Sequence, residues 1–473
     1  MSRIGDRIAR RWMQLGSEFL PFADAATAAL PLSRLLRLSL FQVSVGVAMV
    51  LLIGTLNRVL IVELGVPAWL VSLMVGLPLI FAPFRALIGF KSDNHRSPLG
   101  WRRVPYIWFG TLLQFGGLSI MPFALVILSG DTHGPVWIGQ VASALAFLLV
   151  GAGMQTTQTA GLALATDLAP EAVRPRVVAL MYAMLLVGMV AAGLAFGQLL
   201  ANFSELRLIQ VVQGSALLTM GLNLVALWKQ EARHSGLKSA DEAPARFRDS
   251  WREFVRHARA VRFLVTVGLG TAAFNMQDII LEPYGGEVLR LSVGQTTALT
   301  AMLAAGALLA FSISASLLGR GADPYRQAAY GAVTGLAAFS AVMLSAPLES
   351  PLLFRLGVLL IGFGGGLFSV GTLAGAMARE RNGESGLALG AWGAVQATAA
   401  GLSIALGGAL RDCVGSLGAR GVLGEAMSGV APGYSVVYLI EILLLFATLV
   451  AIGPLVRSDG VTPLRKTAEL GLA

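Results

Sequence analysis

The feature that most constrains this chain is a series of long apolar runs. Segments 38–61, 69–89, 104–128, 136–164, 177–200, 208–228, 261–281, 297–318, 328–346, 352–377, 387–410 and 434–456 are each apolar over about 20 residues and carry few charges. A helix needs about 20 such residues to cross the hydrocarbon core of a bilayer. Membrane strands are shorter and alternate apolar with polar residues, which these runs do not. Composition agrees. Of 473 residues, 56% are hydrophobic and only 13% charged, and the mean hydropathy is +0.73. A soluble globule carries about 25% charged residues and needs a polar skin that this chain cannot supply. The expected fold class is therefore an all-α membrane protein with twelve transmembrane helices. Cys413 is the single cysteine, so a disulfide scaffold is excluded.

The net charge is +9. In a soluble protein that excess suggests nucleic acid. Here its distribution argues otherwise. Of the 35 lysines and arginines, only Arg207, Arg290, Arg411 and Arg420 fall in one set of loops, and Arg58, Arg85 and Arg355 fall within spans. All others fall in the opposite loops and the two termini. The positive-inside rule then predicts cytoplasmic termini, with the basic loops against anionic lipid and no nucleic-acid partner. Trp69, Trp101, Trp108, Trp137, Trp228 and Trp392 lie near span ends, as an interfacial belt requires. Residues 3–20 place Ile4, Ile8, Trp12, Leu15 and Phe19 on one helical face, which predicts an interfacial amphipathic helix. A docking helix for a partner protein is the other reading of this pattern.

The organisation expected is an N-terminal segment (1–37), six spans (38–228), a charged central loop (229–260), six more spans (261–456) and a tail (457–473). The central loop repeats the amphipathic pattern at Phe247, Trp251, Phe254 and Ala258. The two halves echo each other. Gly89-Phe-Lys-Ser-Asp93, followed by Arg102 and Arg103, ends the second span. Gly319-Arg-Gly-Ala-Asp323, followed by Arg326, ends the eighth. A glycine permits a tight helix exit, and the aspartate can accept from a helix end or pair with arginine. Such a motif can act as a latch, or it can be an ordinary turn. Two six-helix bundles about a pseudo-two-fold axis are a known transporter plan.

With these motifs the chain resembles the major facilitator superfamily over nearly its full length. It departs from that pattern by the insertion Asn94-His-Arg-Ser-Pro-Leu-Gly100 ahead of the basic pair. The fifth span has Gly188, Gly193 and Gly197 without the proline of the antiporter motif. Four further stretches narrow the resemblance. They are Asn57-Arg-Val-Leu-Ile-Val-Glu-Leu-Gly-Val-Pro-Ala68, Gly151-Ala-Gly-Met-Gln-Thr-Thr-Gln-Thr-Ala-Gly161, Ala165-Thr-Asp-Leu-Ala169 and Phe274-Asn-Met-Gln-Asp-Ile-Ile-Leu-Glu-Pro-Tyr-Gly-Gly286. Together they resemble the PucC/LhaA family, the bacteriochlorophyll-delivery branch of the superfamily. The resemblance implies a factor that assembles bacterial light-harvesting antenna complexes in the inner, intracytoplasmic photosynthetic membrane. Its implied partners are antenna polypeptides, with bacteriochlorophyll synthase or the insertion machinery beside them. Its implied cargo is transient bacteriochlorophyll.

Ionisable groups inside a membrane are costly and mark function by default. Arg58 and Glu63 fall near the end of the first span, Asp278 and Glu282 near the end of the seventh, and Arg355 near the start of the tenth. In the resembled fold, helices 1, 4, 7 and 10 line the cavity. The expectation is that Arg58 or Arg355 pairs with Asp278 or Glu282 and closes the mouth opposite the termini. Snorkelling of each charge to nearby headgroups is the alternative. Gln155 and Gln158, three apart on one helical face, are either a polar cavity wall and pigment contact or interhelical hydrogen-bonding groups. Glu441 in the twelfth span has no evident partner. The histidines His95, His133, His234 and His257 all fall in loops, so a bound magnesium tetrapyrrole would need an oxygen ligand instead. No phosphate loop or Cys/His metal cluster is present, which argues against an enzyme. Gly364-Gly-Gly366 lies within an apolar span and reads as close helix packing. Two other functions fit the sequence: a proton-coupled solute transporter working through Asp278, Glu282 or Glu441, and a static assembly scaffold.

Overall fold

The computed structural model describes residues 30–80, 101, 103–130, 135–170, 173–230, 258–381, 387–422, 424, 429 and 431–458. The described chain is helical throughout. Its helices are α1 (Leu32–Glu63), α2 (Ala68–Ile80), α3 (Val104–Leu128), α4 (Val136–Leu168), α5 (Arg174–Leu199) and α6 (Glu205–Leu227). They continue with α7 (Ala258–Asn275, then Met276–Ile279 and Leu281–Glu287), α8 (Val293–Gly319), α9 (Pro324–Ser345), α10 (Pro351–Arg381), α11 (Leu387–Ala419) and α12 (Ala431–Ser458). Eleven are long and apolar enough to cross a membrane, and α2 is described over 13 residues. The outward faces are apolar: Phe123 is 71% and Val450 77% exposed. That is the surface of a multi-pass membrane protein, whose solvent is lipid.

Successive helices run in opposite directions, so even-numbered helices start on the side opposite the termini, here the far side. Helices α1–α6 pack chiefly among themselves, as do α7–α12. Two seams, α2 against α11 and α5 against α8, join the groups. Small residues set the spacing of both seams. A Cβ on Gly76 would lie 2.9 Å from the Gly401 carbonyl, and one on Gly193 would lie 2.9 Å from the Ala301 nitrogen. Gly197 and Gly294 meet backbone to backbone. In lipid, association rests on such close packing rather than on hydrophobic burial. The α5–α8 contacts fall in the far halves of both helices, and Gly408 of α11 packs on Ala68 and Ser72 at the far end of α2, so the far side is closed. Gly364 packs on the Gly331 carbonyl and Gly366 on Ala307 and Ala310, which is the helix-packing role expected of that triplet.

Helix ends carry ordinary chemistry. Ser292 and Gln295 form a capping box on α8, and Asp323 caps α9 by accepting from the Tyr325 N–H at 2.9 Å. Asp323 is thus a helix cap, and Gly319 has open space around its Cα. Among the described residues the second copy of the repeated motif forms a capped turn into α9. Of the first copy, Gly89, Asp93 and Arg102 lie outside the described residues. Arg103 is buried and pairs with Asp167 of α4 at 3.0 Å, within the first six helices. The segment 3–20, residues 247–257 and all four histidines also lie outside the described residues.

Candidate functional site

Two helices depart from α geometry, and they do so against each other. In α1 the stretches Val50–Leu56 and Val59–Glu63 are π-helical. In α7 the helix tightens to a 3-10 turn over Met276–Ile279, breaks at Ile280 and restarts at Leu281. Pro283 explains part of the break. It has no N–H to give the Ile279 carbonyl four residues earlier. That carbonyl instead accepts from Asn57 Nδ2 at 3.4 Å, and the Asp278 carbonyl accepts from the same nitrogen at 3.3 Å. Irregular backbone at membrane depth survives only where protein re-satisfies it or a cavity receives it. Asn57 supplies the first condition.

The second condition is met by a cavity of about 390 Å³ beside the break. Its walls come from α1 (Met49, Ile53), α5 (Tyr182 to Met189), α7 (Thr271 to Glu282), α8 (Thr300 to Phe311), α10 (Ile361 to Leu373) and α11 (Trp392, Gln396). Asp278, Glu282 and Thr300 form its far end. Phe311 and Trp392 lie toward the side of the termini. Helices α1, α7 and α10 of the expected set line this cavity, together with α5, α8 and α11. Gln155 and Gln158 do not line this cavity. Gln158 donates to Gln42 of α1 at 3.4 Å, and the buried Oε1 of Gln155 has no hydrogen-bond partner among the described residues. The interhelical reading is supported for Gln158, which bonds across to α1. Trp392 also departs from expectation. Instead of sitting in an interfacial belt, it lines the cavity and donates to Thr372 at 3.2 Å.

The expected ion pairs across the mouth do not form. Arg58 is buried, pairs with Glu63 of its own helix at 2.5 Å and donates to the Leu291 carbonyl at 3.0 Å. The π-helical turns set this geometry, because they bring residues five apart onto one face. Arg355 is half-buried and forms no ion pair among the described residues. Asp278 accepts from Gln277 Nε2 at 2.5 Å. Glu282 is buried and accepts a short hydrogen bond from the Thr300 hydroxyl. Glu441 is fully buried, lies against the Gln277 backbone, faces Asp278, and has neither oxygen hydrogen-bonded.

The charged closure lies elsewhere on the far side. Arg411 pairs with Glu287 at the end of α7, bonds Asp412 at 2.8 Å and donates to the Tyr434 hydroxyl at 3.0 Å. Tyr434 in turn donates to Glu287 at 2.8 Å. Asp412 accepts from the Trp69 N–H at 2.8 Å, capping α2 across the seam. Sequence reasoning missed this cluster because it ended the eleventh span at 410 and left Arg411 in a loop. The helix in fact runs to Ala419. The signal was available: Arg411-Asp412 is an isolated charge pair directly after an apolar run, at a depth where arginine needs an acidic partner.

Protein PucC of Rhodovulum sulfidophilum is 56% identical over 420 residues, 88% of this chain and 92% of that one. A protein of Rhodobacter capsulatus described as an uncharacterized protein in the puhA-bchM intergenic region is 53% identical over 472 residues, 98% of this chain and 99% of that one. More distantly, the bacteriochlorophyll synthase 44.5 kDa chain of Rhodobacter capsulatus is 28% identical over 80% of this chain and 87% of that one. Among solved structures, a bacterial homolog of the human lysosomal transporter Spinster, inward-facing and unoccupied, superposes with a TM-score of 0.62. It shares 15% identity and covers 91% of this chain and 98% of its own. That likeness gives the fold alone, the one shared with this homolog and with the nucleoside transporter NupG. A family model described as PUCC protein matches residues 55–460, and the chain belongs to that family.

Proposed function

We propose that this protein assembles bacterial light-harvesting antenna complexes, binding antenna polypeptides and delivering bacteriochlorophyll to them without itself catalysing a reaction. The observation that carries the reading is the cavity, taken with family membership. Its walls are mostly apolar and aromatic, with Phe274, Phe311, Phe368, Tyr182 and Trp392 around a few oxygen and amide groups. A planar tetrapyrrole stacks on such rings, and its magnesium takes an oxygen ligand readily. Asp278 and Gln396 offer oxygens there, and no described residue is a histidine. Weak oxygen ligation suits a carrier that must release its cargo.

The location proposed is the bacterial inner membrane, with both termini cytoplasmic and the Arg411 cluster facing the periplasm. Cys413 tests the orientation, because it is exposed at the far end of α11. A membrane-impermeant maleimide should label it in spheroplasts, and labelling only after lysis would reverse the assignment. Function is tested by purifying the protein in mild detergent from a phototrophic host. The expected result is a stoichiometric near-infrared bacteriochlorophyll band and co-purified antenna polypeptides. A colourless preparation that still holds antenna chains would reduce the role to a scaffold. A preparation both colourless and alone would overturn the proposal in favour of solute transport.

A further inference from the structure

The break in α7 gathers buried acceptors that lack donors. Glu282 is 3% exposed and its Oε2 is unbonded; Gln277 is 1% exposed with Oε1 unbonded; Asn57 is fully buried with Oδ1 unbonded. Asp278 sits among them, its Oδ1 held by Gln277 and its side chain on the cavity. Glu441 stands behind the same turn with both oxygens unbonded. Few donors answer these groups. Arg58 is the nearest cation; its Nη1 and Nη2 are committed to Glu63 and the Leu291 carbonyl, and its Nε is buried beside Gly286 without a hydrogen-bond partner among the described residues. Buried acceptors without donors, and buried carboxylates without a counter-charge, are each costly. Both deficits have one remedy, a small positive charge among the oxygens.

We infer that the α7 break is a binding site for a small monovalent cation, held by Asp278 and Glu282 with the neutral oxygens of Thr300, Gln277 and Asn57 nearby. A divalent ion fits less well. No group of three or more acidic, histidine or cysteine side chains converges among the described residues. Unwound helices at the bilayer midplane offer oxygens suited to sodium ions or protons. The approach of α1 is part of the site. A Cβ on Gly54 would lie 2.5 Å from the Thr300 hydroxyl and 3.1 Å from Glu282 Oε1, so only glycine lets α1 close over these oxygens. With Asp278 given to this cation at the far end, the oxygen for a pigment magnesium in the cavity falls to Gln396.

The test uses the full-length protein in lipid nanodiscs, with choline chloride replaced by NaCl, LiCl or KCl at constant ionic strength. Binding of an alkali ion raises the thermal midpoint by about 2–5 °C near saturation. The double variant Asp278→Asn/Glu282→Gln should lose the shift, and Arg355→Gln should keep it. If the double variant does not fold, Thr300→Val serves instead. It removes a neutral oxygen and should move the salt midpoint about tenfold, roughly 1.4 kcal/mol. Where no alkali salt acts, infrared difference spectra between pH 5 and pH 9 identify the cation as a proton through a carboxylic acid C=O band lost in Glu282→Gln. The inference is overturned by a salt shift that survives unchanged in the variants. It is equally overturned by the absence of both a salt shift and that band.

Discussion

Helices α1 and α7 hold equivalent places in the two halves, and both abandon regular geometry where they meet. They do so in opposite senses. Helix α1 widens to π turns and buries an arginine whose charge is answered by Glu63 and the Leu291 carbonyl. Helix α7 tightens, breaks, and buries carboxylates that no cation answers within ion-pair distance among the described residues. A satisfied charge at membrane depth fixes structure, whereas an unsatisfied one keeps its energy for a ligand or a conformational change. Arg58 is therefore assigned to architecture, and Asp278 and Glu282 to function.

The largest expected effect comes from the satisfied side. Arg58→Met leaves Glu63 without its partner and strips a donor from the Leu291 carbonyl. Removing one member of a well-buried pair costs about 3–5 kcal/mol. Glu63 is about one-third exposed, so the lower end of that range is expected. The thermal midpoint should fall by several degrees with a lower folded yield. A midpoint within 1 °C of the parent would return Arg58 to the role of a dispensable snorkelling residue.

Asn57 is the bridge between the two helices, and a double-mutant cycle measures it. Asn57→Leu orphans the carbonyls of Asp278 and Ile279, at about 1–3 kcal/mol. Pro283→Ala gives residue 283 an N–H that can reach the Ile279 carbonyl. The double variant should recover part of the loss, with a coupling of about 0.5–1.5 kcal/mol. Strict additivity would mean that the proline does not create the vacancy that Asn57 fills.

This bridge also marks how far the sequence could be read. Hydropathy located the spans because every helix here must hide its backbone in the same way. It could not show the π turns of α1, since winding leaves the apolar count unchanged. It did not show the break in α7 either, because Met276, Ile279, Ile280 and Leu281 are as apolar as a regular helix would be. Pro283 was the legible warning. The candidate residues were found by the rule that charges in a membrane mean function, but that rule names groups and not partners. It placed Arg58, Asp278 and Glu282 correctly at the far ends of their helices and then paired them wrongly. Five-residue spacing inside a π turn is invisible to 3.6-residue reasoning.

Gly54→Ala probes the contact where α1 closes on α8. The added Cβ would crowd the Thr300 hydroxyl and Glu282. Overpacking of this kind costs about 1–3 kcal/mol, and here it also pushes Thr300 away from Glu282. Stability should fall less than in the arginine variant, while any salt-dependent stabilisation is lost. A variant with reduced stability and an intact salt effect would separate Gly54 from the cation site and leave it a packing residue.

The smallest effect on stability, and the sharpest on function, is expected for Asp278→Asn. The amide keeps the shape of the carboxylate and can still accept from Gln277 through its oxygen. It removes a charge that no ion pair stabilises, so the midpoint should change by less than about 1 kcal/mol equivalent, in either direction. Capture of antenna polypeptides or pigment should nevertheless drop, because Asp278 is a carboxylate of the break that reaches the cavity. If Asp278→Asn destabilised the protein as much as Arg58→Met, the contrast between the two helices would fail. Asp278 would then be a structural charge with a partner supplied by the membrane-embedded complex, and the search for the functional group would move to Glu441, the one carboxylate in the described helices whose burial is complete and whose oxygens are both unbonded.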